Sequence, residues 1–207
     1  APGRTSGPDG SDPAHPVQLL GVARLVAKKG VDTLLEALQR LPADLHWRYV
    51  HIGGGVEKDQ IKARATELGL ADRIDWQGAK AQEAVIAAYR NADLYVMASR
   101  IAADGDRDGL PNVLMEAGSQ ELAAVTTAVS AVPELIADGE NGLLVPPDDA
   151  SALATALEAL IRDPKRRLSM GRQARRIVVD RFGMDPGLDQ LAARLRNDIE
   201  TVPSKAA

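Results

Sequence analysis

Short apolar segments of strand length alternate with helical segments along most of the chain. Residues 17–23 form a continuous apolar run, which is typical of a strand buried in a parallel sheet. After this run, the apolar residues recur at the spacing of one helix face, at Val31, Leu34, Leu35 and Leu38. The strands predicted in this way are 17–23, 45–52, 73–77, 93–98, 122–128 and 141–145. The alternation predicts an α/β fold: a Rossmann-like, doubly wound parallel sheet of about six strands, with helices on both faces.

Composition divides the chain into three segments. Residues 1–16 contain four prolines and three glycines without periodicity, which predicts an interdomain linker or a disordered terminus. Residues 17–182 carry the alternating strands and helices and are long enough to bury one core, so we predict a single Rossmann-like domain there. Residues 183–207 are predicted to form a carboxy-terminal helix and tail. The apolar residues of that helix are Leu188, Leu191, Leu195 and Ile199.

Composition also excludes several classes of protein. The chain has no cysteine, which excludes disulfides, thiolate zinc sites and cysteine nucleophiles. Its net charge of −4, without a dominant basic stripe, argues against a nucleic-acid-binding surface. No apolar run approaches the ~20 residues that cross a bilayer, and the first residues lack the features of a signal peptide. We therefore expect a cytoplasmic protein.

The segment 104–121, DGDRDGLPNVLMEAGSQE, joins a polar, acidic loop to a helix. Pro111 suits the first position of that helix, because it lacks the N–H group that would be unsatisfied there. The N–H groups of Asn112 and Val113 would then point out of the helix end, where the helix dipole also favours an anion. The segment therefore predicts a binding site for phosphate groups.

Two carboxylates bracket this turn. Asp108 precedes the helix and Glu116 lies within it, with seven residues between them, so both can face a polyol lying across the helix end. The order Asp104-x-Asp106-x-Asp108 also opens like a calcium-binding loop, which needs a bidentate glutamate at its twelfth position. That position is Met115, so a calcium-binding module is the weaker interpretation. An ordinary solvated acidic loop is a further alternative.

Other candidate residues follow the ends of neighbouring predicted strands. Arg24 and Lys29 come after the first strand, at the edge where open α/β sheets bind ligands. A run of three glycines at 53–55 follows the second strand and invites comparison with dinucleotide-binding loops. Lys58, however, stands where that fingerprint needs its third glycine, which weakens a dehydrogenase interpretation.

Two further features are interpreted as structural. His51 lies inside the predicted second strand, so we expect a hydrogen-bonded core histidine rather than a catalytic one. The arginine-rich stretch 164–181 is interpreted as a solvated helix face. The three histidines do not cluster in the sequence, and no metal site is predicted.

The loop and helix around Pro111, together with two downstream motifs, resemble a known family. The run Asp108-Gly-Leu-Pro-Asn-Val-Leu-Met-Glu116, the segment Val132-Pro133-Glu134 and the run NGLLV at 141–145 are similar to the signature of the retaining glycosyltransferases of family 4. The resemblance spans roughly residues 17–182. It implies the carboxy-terminal half of a GT-B fold, which is the nucleotide-sugar-binding domain of such an enzyme.

The resemblance implies roles for individual residues. Arg24 and Lys29 would supply two cations for the diphosphate of the donor, and Asp108 would contact the donor sugar; these three are the implied catalytic residues. Glu116 would bind the ribose hydroxyls, and the backbone after the third strand would contact the nucleobase. The implied substrate-binding residues are Gly54, Gly78, Leu110, Pro111, Asn112, Val113, Glu116 and Glu134. Neither a metal ion nor a cofactor is implied.

This sequence departs from the family pattern at three places. Asp108 replaces the first glutamate of the motif, Glu121 stands where a glycine is common, and Ser130-Ala131 replaces a glycine pair. Positions that commonly hold glycine at the end of a helix favour a positive φ. These departures bear on the shape of the sugar pocket more than on the fold.

The implied function is transfer of a hexosyl unit, with retention, from a UDP-, GDP- or ADP-sugar to a sugar, lipid or polysaccharide acceptor. The resemblance further implies an amino-terminal acceptor domain that would precede residue 1, and it leaves open a peripheral membrane association through that domain. No nucleic-acid partner is expected. The alternative from another class is a non-catalytic nucleotide-sugar-binding or regulatory module.

Overall fold

Six parallel strands form one sheet in the computed structural model, which describes residues 5–182. The strands are β1 (Val17–Val22), β2 (Trp47–Ile52), β3 (Ile74–Gly78), β4 (Leu94–Met97), β5 (Ala124–Thr127) and β6 (Gly142–Val145). Their order across the sheet is β3-β2-β1-β4-β5-β6. The predicted α/β fold with a doubly wound parallel sheet is therefore confirmed, and the strand ends differ from the predicted ones by no more than two residues.

Helices cover both faces of this sheet. They are α1 (Val31–Gln39), α2 (Lys58–Glu67), α3 (Gln82–Asn91), α4 (Asn112–Ser119), α5 (Val132–Leu135), α6 (Ala150–Arg162) and α7 (Pro164–Phe182). Buried side chains of α1, α2 and α6 form the core on one face, and those of α3, α4 and α5 form the core on the other. The long α7 contributes Met170 to the first core and Phe182 to the second. None of the helices within residues 5–182 is both long and apolar enough to cross a bilayer.

The carboxyl ends of all six strands lie at one edge of the sheet, called here the carboxyl edge. The chain runs from β1 to β2 on one side and later enters β4 on the other side, so the strand order reverses between β1 and β4. Open α/β sheets bind their ligands at the carboxyl edge at such a reversal. Gly30, at the start of α1, has a φ of 57°, and a Cβ atom there would lie 2.0 Å from the carbonyl oxygen of Ala98. Glycine therefore permits the close approach of these two loops.

Part of the predicted linker contacts the domain. Residues 5–16 form no helix or strand. The Pro8 carbonyl accepts a hydrogen bond of 2.5 Å from Nη2 of Arg167, and the Gly10 carbonyl accepts one of 2.8 Å from the backbone N–H of His46. This part of the segment thus lies against the domain rather than extending freely from it. The predicted helix with Leu188 to Ile199 lies outside the described residues.

His51 makes two hydrogen bonds in the interior, in agreement with its interpretation as a structural residue. Its side chain is 1% exposed; Nε2 lies 3.1 Å from the Ala23 carbonyl oxygen and Nδ1 lies 2.8 Å from the Tyr49 hydroxyl. A neutral ring that donates from Nε2 and accepts at Nδ1 satisfies both contacts. Burial accordingly lowers the pKa of His51 to about 4.

The depressed pKa predicts a loss of stability in mild acid. Above the ordinary value of about 6.5, His51 is neutral in both the folded and the unfolded chain, and its contribution is fully present. Between pH 6.5 and 4 the unfolded chain takes up the proton first, so the free energy of unfolding falls by about 3 kcal/mol. Urea unfolding of the wild type and of His51→Gln should show a difference that shrinks across this range. A difference independent of pH would contradict the prediction.

Candidate functional site

Lysines and aspartates from two loops meet at the carboxyl edge. The 3-10 turn Ala27–Lys29 follows β1, and the loop 98–111 follows β4. Lys29 Nζ lies 2.5 Å from Oδ2 of Asp108, while Lys28 Nζ lies 3.0 Å from Asp106 and 3.5 Å from Asp108. The structure therefore brings together Lys29 and Asp108, which the sequence places 79 residues apart.

The opposite charges in this cluster stabilise each other and shift the pKa values of both partners. The hydrogen bond with Asp106 raises the pKa of Lys28, and the same bond lowers the pKa of Asp106. The charge of Arg24 also lowers the pKa of Asp106. Arg24 is exposed, and its side chain makes no hydrogen bond or ion pair within residues 5–182. Because Asp106 and Asp108 face two ammonium groups, this loop is poorly suited to a calcium ion.

Arg100 ties the loops of the carboxyl edge together, although sequence reasoning did not identify it. Its Nε donates to the Ala27 carbonyl at 2.9 Å and its Nη1 to Asp148 at 2.9 Å, while Nη2 pairs with Asp32. Its backbone N–H donates to the Lys28 carbonyl at 2.9 Å. Arg100 thereby holds the backbone that carries the two lysines. No local signal could reveal these contacts, because each partner lies 48 or more residues away.

The helix end after Pro111 differs slightly from its prediction. Pro111 is the N-cap of α4 with a ψ of 120°, so the first helical residue is Asn112 and the predicted assignment of Pro111 was wrong by one residue. The proline ring fixes φ but not ψ, which allows this extended conformation. The N–H groups of Asn112 and Val113 have no acceptor within residues 5–182, and Asn112 is exposed. These two N–H groups therefore remain available to bind an anion at this helix end.

Glu116 lies beside two buried tyrosines. Its Oε2 accepts a hydrogen bond of 3.1 Å from the hydroxyl of Tyr89. The hydroxyl of Tyr95 donates to the Val22 carbonyl at 3.2 Å, at the end of β1. Burial raises the pKa of Tyr95, and the charges of Glu116 and Asp108 raise it further. The charges of both carboxylates thus act on the same tyrosine hydroxyl, and their joint role in binding stays a prediction.

A pocket of about 180 Å³ opens beside the loop after β2. It is lined by Leu25, Gly53, Lys58, Lys62, Trp76, Gln77 and Gly78. Gly78 thus lines a cavity, and Gly54 lies next to it and accepts a hydrogen bond of 2.9 Å from the backbone N–H of Leu25. Trp76 contacts Tyr49 edge to face, with 6.5 Å between the ring centroids, and is only partly buried. A planar group could therefore enter between the loop and the Trp76 side chain.

Two predicted site residues, Leu110 and Glu134, differ in how far they are buried. Leu110 is partly buried and packs against the core formed with α3 and α4. Glu134 is exposed in the short α5, after β5 at the carboxyl edge, and no side-chain contact joins it to another predicted site residue within residues 5–182. Glu121 and Ser130 have φ values of 58° and 51°. These are the positions where the family commonly has glycine.

The arrangement favours a ligand with both negative charge and hydroxyl groups. Arg24, Lys28, Lys29 and the amino end of α4 offer positive charge, and Asp108 and Glu116 can accept hydrogen bonds from hydroxyl groups. A groove of about 500 Å³ lies elsewhere, between α3 and the sheet. Its lining includes no charged residue, so it lacks the groups that would bind such a ligand.

Comparison with known proteins identifies glycosyltransferases as relatives of this chain. The family model "Glycosyl transferases group 1" matches residues 10–177. A putative colanic acid biosynthesis glycosyltransferase, WcaL, of Salmonella typhimurium is 34% identical over 89% of this chain and 46% of its own length. A GDP-mannose-dependent phosphatidylinositol monomannoside mannosyltransferase of Mycolicibacterium smegmatis is 30% identical over 78% of this chain and 43% of its own length. The chain thus spans about half the length of the curated relatives it matches.

A solved structure of similar size shares the fold. It is the C-terminal domain of a glycosyl transferase group 1 family protein, LpcC, from Francisella tularensis. The two chains are 26% identical with a TM-score of 0.69, and the match covers 86% of this chain and 96% of the other.

Proposed function

The chain belongs to the glycosyl transferases group 1 family, and from that premise we propose that it is the donor-binding domain of a retaining glycosyltransferase. The observation that carries the proposal is the cluster at the carboxyl edge, where Lys29 and Asp108 meet beside the amino end of α4. The substrate would be a nucleoside diphosphate sugar, and the transferred group a hexosyl unit. A sugar, a lipid or a polysaccharide would accept it.

The cations of the cluster suit the departure of a nucleoside diphosphate. As the bond between the sugar and the β-phosphate breaks, negative charge grows on the phosphate oxygens. Arg24 and Lys29, together with the N–H groups at the start of α4, are positioned to stabilise that charge. In the structure, Lys29 Nζ is paired with Oδ2 of Asp108 at 2.5 Å. We infer that the diphosphate takes over Lys29, which leaves Asp108 to accept a hydrogen bond from a sugar hydroxyl.

The other parts of the donor would lie along the rest of the carboxyl edge. Glu116 would accept hydrogen bonds from the ribose, and the nucleobase would lie by the backbone of Gly78, in the pocket beside Trp76. The name of the mycobacterial relative supports a nucleotide-sugar donor, since that protein is GDP-mannose-dependent.

The complete enzyme is proposed to have two domains in a GT-B arrangement. This chain matches about half the length of its relatives, and its fold matches a protein described as a C-terminal domain. An amino-terminal domain would then bind the acceptor across the carboxyl edge. The sequence motifs and this coverage support the same arrangement.

The proposal is tested by calorimetric titration of the chain with UDP, GDP and ADP in excess chelator. We expect one of the diphosphates to bind without added metal, because protein cations face the phosphates. The corresponding nucleoside should bind more weakly, since each charge-assisted hydrogen bond to phosphate contributes about 1.5–3 kcal/mol. Absence of binding for all three nucleotides, or binding only when a divalent metal is restored, would contradict the proposal.

Glu116→Ala is expected to weaken nucleotide binding about tenfold to a few hundredfold, because two charge-assisted hydrogen bonds to the ribose are lost. The free energy of unfolding should fall by only about 1 kcal/mol, for the lost hydrogen bond from Tyr89. Glu83→Ala, at an exposed position of α3, is the matched control and should leave both quantities unchanged. Normal binding by a Glu116→Ala protein that unfolds much more easily would assign Glu116 a structural role instead.

A further inference from the structure

The helix α7 concentrates positive charge on an acidic protein. Its nineteen residues include seven basic side chains and a single acidic one, Asp180, for a formal charge of +6. The whole chain carries −4, so the remaining residues together carry −10. Positive charge is therefore concentrated on α7 while the rest of the chain is acidic, which a merely solvated helix face would not require.

Three of these cations form a row on the outer side of α7. Lys165, Arg172 and Arg176 follow one another at intervals of seven and four residues, and Ser169 lies between them. On a helix of 3.6 residues per turn these four positions fall within about 60° of one another, in a row about 17 Å long. We call these four residues the α7 stripe. The buried residues of the same helix lie on the opposite side: Arg167, Met170, Gly171 and Ala174.

The cations of the α7 stripe differ from Arg167 and Arg175 of the same helix. Arg167 is buried and donates to two carbonyl oxygens at the end of α6, and Arg175 pairs with Glu121 at 3.6 Å. Lys165, Arg172 and Arg176 are instead exposed, and their side chains make no hydrogen bond or ion pair with any part of the chain from 5 to 182. The stripe therefore presents its positive charge to the surroundings.

A shallow groove runs along the α7 stripe and is lined in part by one apolar side chain. Its volume is about 270 Å³, and its lining adds Ser6 and Leu168 to residues of the stripe. Two serine hydroxyls and three cations thus line one groove, and neighbouring members of this set can bind a phosphodiester group together. Leu168 lines the groove, and Val179, one turn beyond Arg176, is 55% exposed. Cations beside exposed apolar side chains are typical of helices that lie on a membrane surface.

We propose that the α7 stripe binds the surface of a bilayer containing anionic phospholipids, with a headgroup phosphate in the groove. A flat anionic surface can touch this single face while the acidic remainder of the domain stays away from it. An extended nucleic acid would have to approach the acidic remainder as well. The stripe lies away from the carboxyl edge, because Gly171 packs against Glu121 and Ala123, which precede β5. Membrane contact would therefore leave the proposed donor site open.

The proposal is tested by sedimentation of the 207-residue chain with lipid vesicles. Vesicles of phosphatidylcholine alone are compared with vesicles in which about a third of the lipid is phosphatidylglycerol. We expect binding only to the anionic vesicles, and weaker binding as the salt concentration rises, because salt screens the attraction. Arg172→Glu/Arg176→Glu should lower the partition coefficient roughly 30-fold or more, since each cation near an anionic surface contributes about fivefold.

The matched control reverses two exposed cations elsewhere, in Arg40→Glu/Lys80→Glu, which changes the net charge equally. This control should keep most of the binding, and Arg172→Gln/Arg176→Gln should show a smaller loss than the double reversal. Thermal unfolding should be unchanged in all variants, since neither arginine has a partner among the described residues. Equal losses in the two glutamate variants, equal binding to neutral vesicles, or binding of duplex DNA or inorganic phosphate without vesicle binding would each overturn the proposal.

Discussion

Gly53→Ala is expected to destabilise the domain by about 3–5 kcal/mol, from backbone strain and overpacking together. Gly53 has a φ of 138°, which residues with a side chain rarely adopt. A Cβ atom at this position would lie 1.9 Å from the carbonyl oxygen of Ala23. The obstructing atom belongs to the backbone between β1 and Arg24, so it cannot move aside as a flexible side chain could. Relief would require displacing the loop that carries the proposed phosphate-binding residues.

Gly54→Ala is the matched control for this experiment. A Cβ atom added to Gly54 would have no heavy atom within 4 Å, and Gly54 has no left-handed φ, so alanine fits there without strain. Thermal unfolding of the two variants should therefore differ by roughly 6–20 °C, with Gly54→Ala close to the wild type. Similar melting temperatures for both would show that the loop after β2 adjusts more easily than the structure indicates. Nucleotide titration of Gly54→Ala then tests the predicted binding role of Gly54 in a normally folded protein.

The fold was predictable because buried parallel strands and amphipathic helices leave different periodicities in the sequence. The apolar run at 17–23 and the helical spacing from Val31 to Leu38 correspond closely to β1 and α1. Strand ends were less accurate: residues 45 and 46 were assigned to the second strand, which begins at Trp47. Leu45 is fully buried without being part of the sheet, so its apolar character alone was misleading.

Membership of the glycosyl transferases group 1 family was also predictable, since the motifs from Asp108 onward are long and specific, and the match over residues 10–177 confirms it. The finer assignment to family 4 stays a prediction. Retention and the individual roles of the site residues stay predictions. The roles of Lys28, Asp106 and Arg100 in the cluster were not predictable, because their partners come from loops far apart in the sequence. The backbone conformation of Glu121, in contrast, was predictable. The family commonly has glycine at this position, which favours a positive φ, and the glutamate adopts a φ of 58°.

The chain alone is expected to bind a nucleotide sugar but to transfer the sugar at least about 10⁵-fold more slowly than a two-domain version. Transfer requires the acceptor hydroxyl and the anomeric carbon to be held in near-attack geometry, and such positioning lowers a barrier by roughly 7–11 kcal/mol. The groups at the carboxyl edge, Arg24, Lys29, Asp108 and Glu116, all suit the donor. If the acceptor is bound by another domain, as proposed, an acceptor that meets this chain in solution lacks that positioning.

The experiment compares residues 1–207 with a version that carries an amino-terminal domain of a relative ahead of residue 1, using labelled donors and a panel of acceptors. Lys29→Ala in the two-domain version is the control that links transfer to this domain. Efficient transfer by the chain alone would show that it holds a complete active site. Inactivity of the two-domain version, despite normal donor binding, would favour the non-catalytic module.

Slow hydrolysis of the donor by water is compatible with the prediction, because Arg24 and Lys29 still stabilise the leaving diphosphate. The assay must therefore measure glycosylated acceptor rather than released nucleotide.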